Sequence, residues 1–117
     1  MEFDRALIIR KEWLELILSG VKLWELRTSH TKIRGVIGLI EAGSGLIVGT
    51  THIIDSIGPL STEEWRSNVS KHKVPYRACE HIAEKWNHAW VLENSCKLNR
   101  PIPYQHQQGA VIWVRLH

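Results

Sequence analysis

The hydrophobic period of this chain changes twice within its first 28 residues, and that change constrains the fold more than any other feature. Ala6-Leu7-Ile8-Ile9 is a short unbroken apolar run, as a buried strand carries. From Glu12 to Leu18 the apolar residues move to helical spacing, and Ser19-Gly20 supplies the stop. Lys22 to Thr28 then alternates, with Trp24 and Leu26 on one side and Glu25 and Arg27 on the other. A half-buried strand alternates in this way, so two ionisable side chains share a face.

The remainder continues the mixture. Arg34 to Glu41 and Leu46 to Ile54 are β-rich runs around Gly43-Ser44-Gly45, a connection that closes a hairpin. Ser61-Thr62-Glu63-Glu64 carries a capping-box pattern and starts a short helix that turns Trp65 toward the core. Pro75 precedes a second inserted helix, expected from Tyr76 to Trp86. Strand character returns at His88 to Leu92 and at Ala110 to Leu116, with a loop expected over Asn99-Arg100-Pro101-Ile102-Pro103-Tyr104. Strands at both ends with helices inserted predict one α+β domain over residues 1–117, a mixed barrel closed by its termini.

Composition narrows the function classes. With 117 residues, 44% hydrophobic and 23% charged, the chain can bury a core without disulfides or a structural metal. Cys79 and Cys96 are too few and too isolated for a disulfide framework or a zinc site, and both are expected as reduced, partly buried thiols. The seven histidines fit no compact metal motif, so neither a metal nor a cofactor is expected. No apolar run approaches the roughly 20 residues of a membrane span, and Met1-Glu2-Phe3-Asp4 does not open a secretory signal; a cytoplasmic protein is the expectation. The net charge of +3 is compatible with a polyanionic partner. Six tryptophans are present, most of them expected in the core, with Trp86 near a rim.

The segment Gly20-x-Lys22-x-x-Glu25-x-Arg27, placed after a strand and a helix, resembles the signature of the ASCH domain family. Arg34-Gly35 entering a hydrophobic hairpin, Trp90-x-Leu92, and the end from Pro101-Ile102-Pro103-Tyr104 through Gly109 to Trp113-Val114 extend the likeness over nearly the whole chain. The resemblance implies a PUA-like β-barrel of about five to six strands with two to three short flanking helices. It also implies a place among proteins associated with RNA recognition, some of them single-stranded ribonucleases and others amidohydrolases that deacetylate N4-acetylcytidine. The expected partner is therefore single-stranded RNA or a modified nucleotide.

The residues themselves supply the chemistry such a cleft needs. Lys22 is a compact cation whose pKa falls readily on burial, and Arg27 can grip phosphate with a bidentate fork. Glu25 can take a proton or accept hydrogen bonds from a base edge. Arg34 is a further candidate phosphate contact, and Tyr104, on the expected proline-framed loop, is a candidate stacking platform. Lys22 and Glu25 are the catalytic candidates; Lys22, Arg27, Arg34 and Tyr104 are the nucleic-acid-binding ones. A structural ion pair between Glu25 and Arg27, with Lys22 merely solvated, is the competing reading. The amidohydrolase branch carries a threonine nucleophile three residues after its lysine, where this chain has Glu25. A carboxylate cannot replace that hydroxyl, although Glu25 could still activate water. RNA or nucleotide binding, metal-independent RNA cleavage, acylated-nucleoside hydrolysis and a protein-interaction role all remain open at this point.

Overall fold

A computed structural model describes residues 2–75 and 79–116. Its strands are β1 (Arg5–Ile9), β2 (Trp24–Arg27), β3 (Gly35–Glu41), β4 (Leu46–Ile57), β5 (His88–Pro103) and β6 (Trp113–Arg115). The helical segments are α1 (Lys11–Leu18), α2 (Thr62–Ser67), α3 (Val69–His72) and α4 (Cys79–Lys85). All six strands join one sheet in the order β2-β5-β4-β3-β1-β6, curled into a half-barrel with the helices around it. The α+β barrel architecture expected from the sequence is the one observed. β1 runs parallel to β3, whereas the other pairs are antiparallel.

The elements form for local reasons. α1 turns Leu14 and Ile17 into the core and ends in a Schellman motif. Gly20 takes φ +83°, its N–H donates to the Ile17 carbonyl, and the Val21 N–H reaches back to Leu16. The Lys22 N–H also donates to Leu16, so the residue after the stop leaves the helix in a fixed direction. In α2 the capping box is complete: Ser61 Oγ accepts from the Glu64 N–H, and the Glu64 carboxylate accepts from the Ser61 N–H. Trp65 is fully buried behind it. Gly49 lets layers approach closely, because a Cβ there would lie 2.8 Å from the Cys96 carbonyl oxygen and 2.3 Å from Leu18.

Three apolar clusters fill the fold. Leu7, Ile9, Leu14, Ile37, Leu39 and Leu92 belong to the one between α1 and the sheet. Trp24, Leu26, Leu60, Trp65, Val74 and Ala89 join β2 to the inserted helices. Ala6, Ile40, Ile47 and Val114 form the third, at the end of the sheet beside the β3–β4 turn.

Several boundaries differ from expectation. The run 99–103, expected as a loop, continues β5, with Ile102 opposite Ile47 and Pro103 opposite Leu46 on β4. Prolines are tolerated there because β2 pairs only with His88 to Val91, leaving the other side of β5 an edge where a missing N–H costs little. The last strand is shorter than Ala110 to Leu116, holding only Trp113–Arg115. The helix expected from Tyr76 is observed from Cys79, and 76–78 lie outside the described residues. Cys96 is exposed rather than partly buried, and the Cys79 side chain lies outside the description.

Candidate functional site: a buried Lys-Glu-Arg cluster in a seam cleft

β2 and the β1–β6 pair are the two ends of the sheet, and a cavity of about 480 Å³ opens where the curl brings them near each other. Its walls come from the end of β1 and the start of α1 (Ile8, Ile9, Arg10, Trp13), from β2 (Glu25, Leu26, Arg27), and from Lys22, Val74, Ile82, Trp86 and Val111. The volume lies within the range of small-ligand pockets, roughly 300–1,000 Å³.

Alternation along β2 does what the sequence requires. Trp24 and Leu26 pack with the inserted helices, while Glu25 and Arg27 turn to the cleft. Arg27 Nη2 donates to Glu25 Oε2 at 2.9 Å and to the Ile8 carbonyl at 3.3 Å, a side-chain tie across the seam. The other carboxylate oxygen, Oε1, lies 3.9 Å from Lys22 Nζ. One carboxylate thus serves two cations.

Lys22 is only 1% exposed, so the competing reading in which it is merely solvated does not hold. Nζ donates to the His72 carbonyl and lies 5.1 Å from the centre of the Trp13 ring. The backbone on either side is held as well, since the Leu23 N–H donates to Lys71 and the Leu23 carbonyl accepts from Leu92. Burial lowers the Lys22 pKa to about 8 from 10.5; Glu25 opposes the shift and Arg27 adds slightly to it. His72 completes the support. Its Nδ1 accepts from the Val74 N–H and its Nε2–H donates to Trp65, which fixes a neutral tautomer. Burial first, and then the Lys22 charge, hold its pKa below the usual histidine value against the opposing Trp65 bond.

The structure therefore brings Lys22, Glu25 and Arg27 together and leaves the other two candidates outside. Tyr104 does not line the cleft: it packs half-buried against the third cluster, with its hydroxyl 3.1 Å from His106 Nδ1. The extension of β5 carries it there. Arg34 also lies elsewhere, donating to the Thr31 and Ile33 carbonyls and sitting 3.9 Å from Asp55. Sequence reasoning missed Trp13 as a wall of the site and the His72 carbonyl as the partner of Lys22. For Trp13 the helical period gave a signal, because it stands four positions before Ile17 and so on the same side of α1. For a backbone carbonyl 50 residues away there was none. Among the described residues, no group of three or more His, Cys, Asp or Glu could hold a metal ion. Nor is any helix among them long and apolar enough to cross a membrane.

Comparison with known proteins bears on the family. No curated protein sequence matches. Among solved structures, an ASCH protein from Zymomonas mobilis is similar with a TM-score of 0.75 at 14% identity, covering 100% of this chain and 90% of that one. A serine-to-alanine variant of it aligns with a TM-score of 0.74 at 15% identity, covering 99% and 89%. A tyrosine-to-phenylalanine variant gives 0.73 at 16%, covering 97% and 89%. At such identities the likeness speaks for the fold. The sequence itself matches the family model described as the ASCH domain over residues 7–102, from the first strand to the end of β5. That span contains the whole Lys-Glu-Arg cluster and most of the barrel, and the chain belongs to the ASCH domain family.

Proposed function

We infer that the protein binds RNA by taking an unpaired nucleotide into the seam cleft, where Lys22 and Arg27 meet its phosphate or carbonyl oxygens and Glu25 accepts from its base edge. The observation that carries this reading is the buried Lys22, Glu25 and Arg27 cluster on the wall of a 480 Å³ cavity that also has indoles, those of Trp13 and Trp86. Burying three charges is costly, and a purely structural wall would be served as well by apolar side chains. A cluster of two cations and one carboxylate retains a net positive charge toward the cavity. Indole faces supply stacking that accepts any base. Labelled single-stranded RNA should bind, and bind more weakly as salt rises, because neutralised phosphates release counterions. Arg27→Ala and Lys22→Met should each weaken that binding. Wild-type affinity in both variants would refute the reading.

The depressed pKa of Lys22 favours a second reading, in which the cleft also hydrolyses what it binds. With a pKa of about 8, roughly one-tenth of Lys22 is neutral at pH 7 and available as a base. Glu25 lacks the hydroxyl of the amidohydrolase threonine, so a water nucleophile would be required. Incubation with single-stranded RNA and with N4-acetylcytidine separates the two readings. In an enzyme, Glu25→Gln abolishes product while affinity persists; in a binding module no product forms with either variant or wild type.

A further inference from the structure

Beside the cleft lies a second cavity of about 340 Å³, lined by the segment Thr28 to Thr31 and by the indoles of Trp86, Trp90 and Trp113. The two cavities share Arg27, Trp86 and Val111, so they adjoin and a ligand longer than one nucleotide could pass from one to the other. The walls of the second differ in chemistry. On the tryptophan side, Trp90 and Trp113 are stacked with centroids 5.8 Å apart and planes 15° apart, each ring holding the other in place. The Trp90 N–H is already taken by the Ser29 carbonyl at 2.9 Å and the residue is only 4% exposed, so Trp90 backs the wall while the ring surface open to a ligand is that of Trp86 and the uncovered part of Trp113. On the other side, Thr28 and Ser29 are exposed hydroxyl residues. The rim is apolar and open, with Val111 at 75% and Ile112 at 42% exposure.

Arg27 stands between the cavities, its guanidinium 5.4 Å from the Trp90 ring centre. Nη2 is engaged by Glu25 and Ile8, but the buried Nε has no hydrogen-bond partner among the described residues. Buried donors are nearly always paired, so Arg27 Nε calls for an acceptor that the described residues do not supply. We propose that the second cavity holds the nucleotide adjoining the one in the cleft, and that Arg27 binds the phosphate linking the two. Base, ribose and phosphate then meet an aromatic wall, hydroxyls and a cation in turn. This rests on the nucleotide-binding reading and adds a second subsite to it.

The test compares adenosine 5′-monophosphate with the dinucleotide ApA, and uridine 5′-monophosphate with UpU, by calorimetric or fluorescence titration. The wild-type protein should bind each dinucleotide roughly tenfold more tightly than its mononucleotide, the gain from one more stacked base. Ser29→Trp and Ile112→Trp each fill the second cavity without touching the cleft. Circular dichroism and a melting curve establish that each variant is folded, and two positions guard against one failing to fold. Both should keep mononucleotide affinity and lose the dinucleotide advantage. A wild-type dinucleotide that binds no better than the mononucleotide overturns the second subsite and leaves the cleft reading intact. So does an advantage that survives both fillings. Absence of binding by mononucleotide and dinucleotide alike overturns both readings together.

Discussion

Two ends of the barrel are built on opposite terms: the seam, where the two edges of the sheet come near each other, and the end beside the β3–β4 turn, where the third apolar cluster packs. At the seam, four polar or charged residues, Lys22, Glu25, Thr31 and His72, are at least nine-tenths buried, and Arg27 joins them nearly as deep. At the end by the β3–β4 turn, the buried set is Ala6, Ile40, Ile47 and Val114, with Tyr104 resting on it. The side chains named are about equally buried in both, so burial by itself does not distinguish a site from a core. What distinguishes them is that the seam buries ionised groups which depend on one another, whereas the apolar end buries groups that contribute independently. The first arrangement is sensitive to the loss of one member; the second tolerates trimming.

The largest test of that contrast is Glu25→Leu. Removing the carboxylate leaves Lys22 and Arg27 facing each other in a poorly solvated place, and the expected cost is about 3–5 kcal/mol of unfolding free energy. Urea denaturation at pH 7 measures it. A double-mutant cycle with Arg27→Ala should show strong non-additivity. A loss under about 1 kcal/mol would mean that the three groups act as a loose surface set, for which such values are usual.

Next in size is a dependence on alkaline pH. Folding lowers the Lys22 pKa from 10.5 to about 8, so between those values the unfolded chain binds more protons than the folded one, and stability rises with pH. The contribution over the whole window is on the order of 3 kcal/mol, with nothing further to gain above it and little change from this group below pH 8. Comparing denaturation of the wild type with that of Lys22→Met from pH 7 to 10.5 isolates it, since all other groups are common to both. A constant difference across that range would show that Lys22 keeps its ordinary affinity for a proton.

At the apolar end the effects shrink. Ile47→Val removes one methylene group from a fully buried position and should cost about 1 kcal/mol, without altering RNA affinity. An affinity change would show that the two ends are coupled. Tyr104→Phe is smaller still, because it removes only an exposed hydroxyl contact with His106. The expected change is under about 0.5 kcal/mol, again with RNA binding unaffected. Loss of binding in Tyr104→Phe would place the Tyr104 hydroxyl at the proposed nucleotide site and overturn the contrast between the two regions.

Much of this was legible in order along the chain. The change from strand to helix to glycine stop within the first 20 residues is local chemistry, and the Schellman turn at Gly20 follows from it. So does the capping box at Ser61. Alternation along Trp24-Glu25-Leu26-Arg27 placed Trp24 and Leu26 with the apolar cluster and Glu25 with Arg27 on the cleft side, although Leu26 also borders the cavity, because the strand period is a property of the backbone itself. Tyr104 was misplaced for an equally physical reason. Two prolines two residues apart look like a loop, but an edge that lacks a neighbour does not require their N–H groups, and only the shortness of β2 creates that edge.

The sequence by itself thus determined the elements, their order and the face on which Glu25 and Arg27 lie, because periodicity, capping and glycine conformation act over a few residues. Only the tertiary structure decided that Lys22 is buried rather than solvated. Its partner is a main-chain carbonyl at His72, and its neighbour the Trp13 ring, brought together by the docking of α3 and α1. A backbone carbonyl has no residue type to read, and desolvation depends on everything packed around a group, so neither leaves a mark in the order of amino acids. The same holds for Arg27, whose place between two cavities exists only because the curled sheet brings its two ends to one seam.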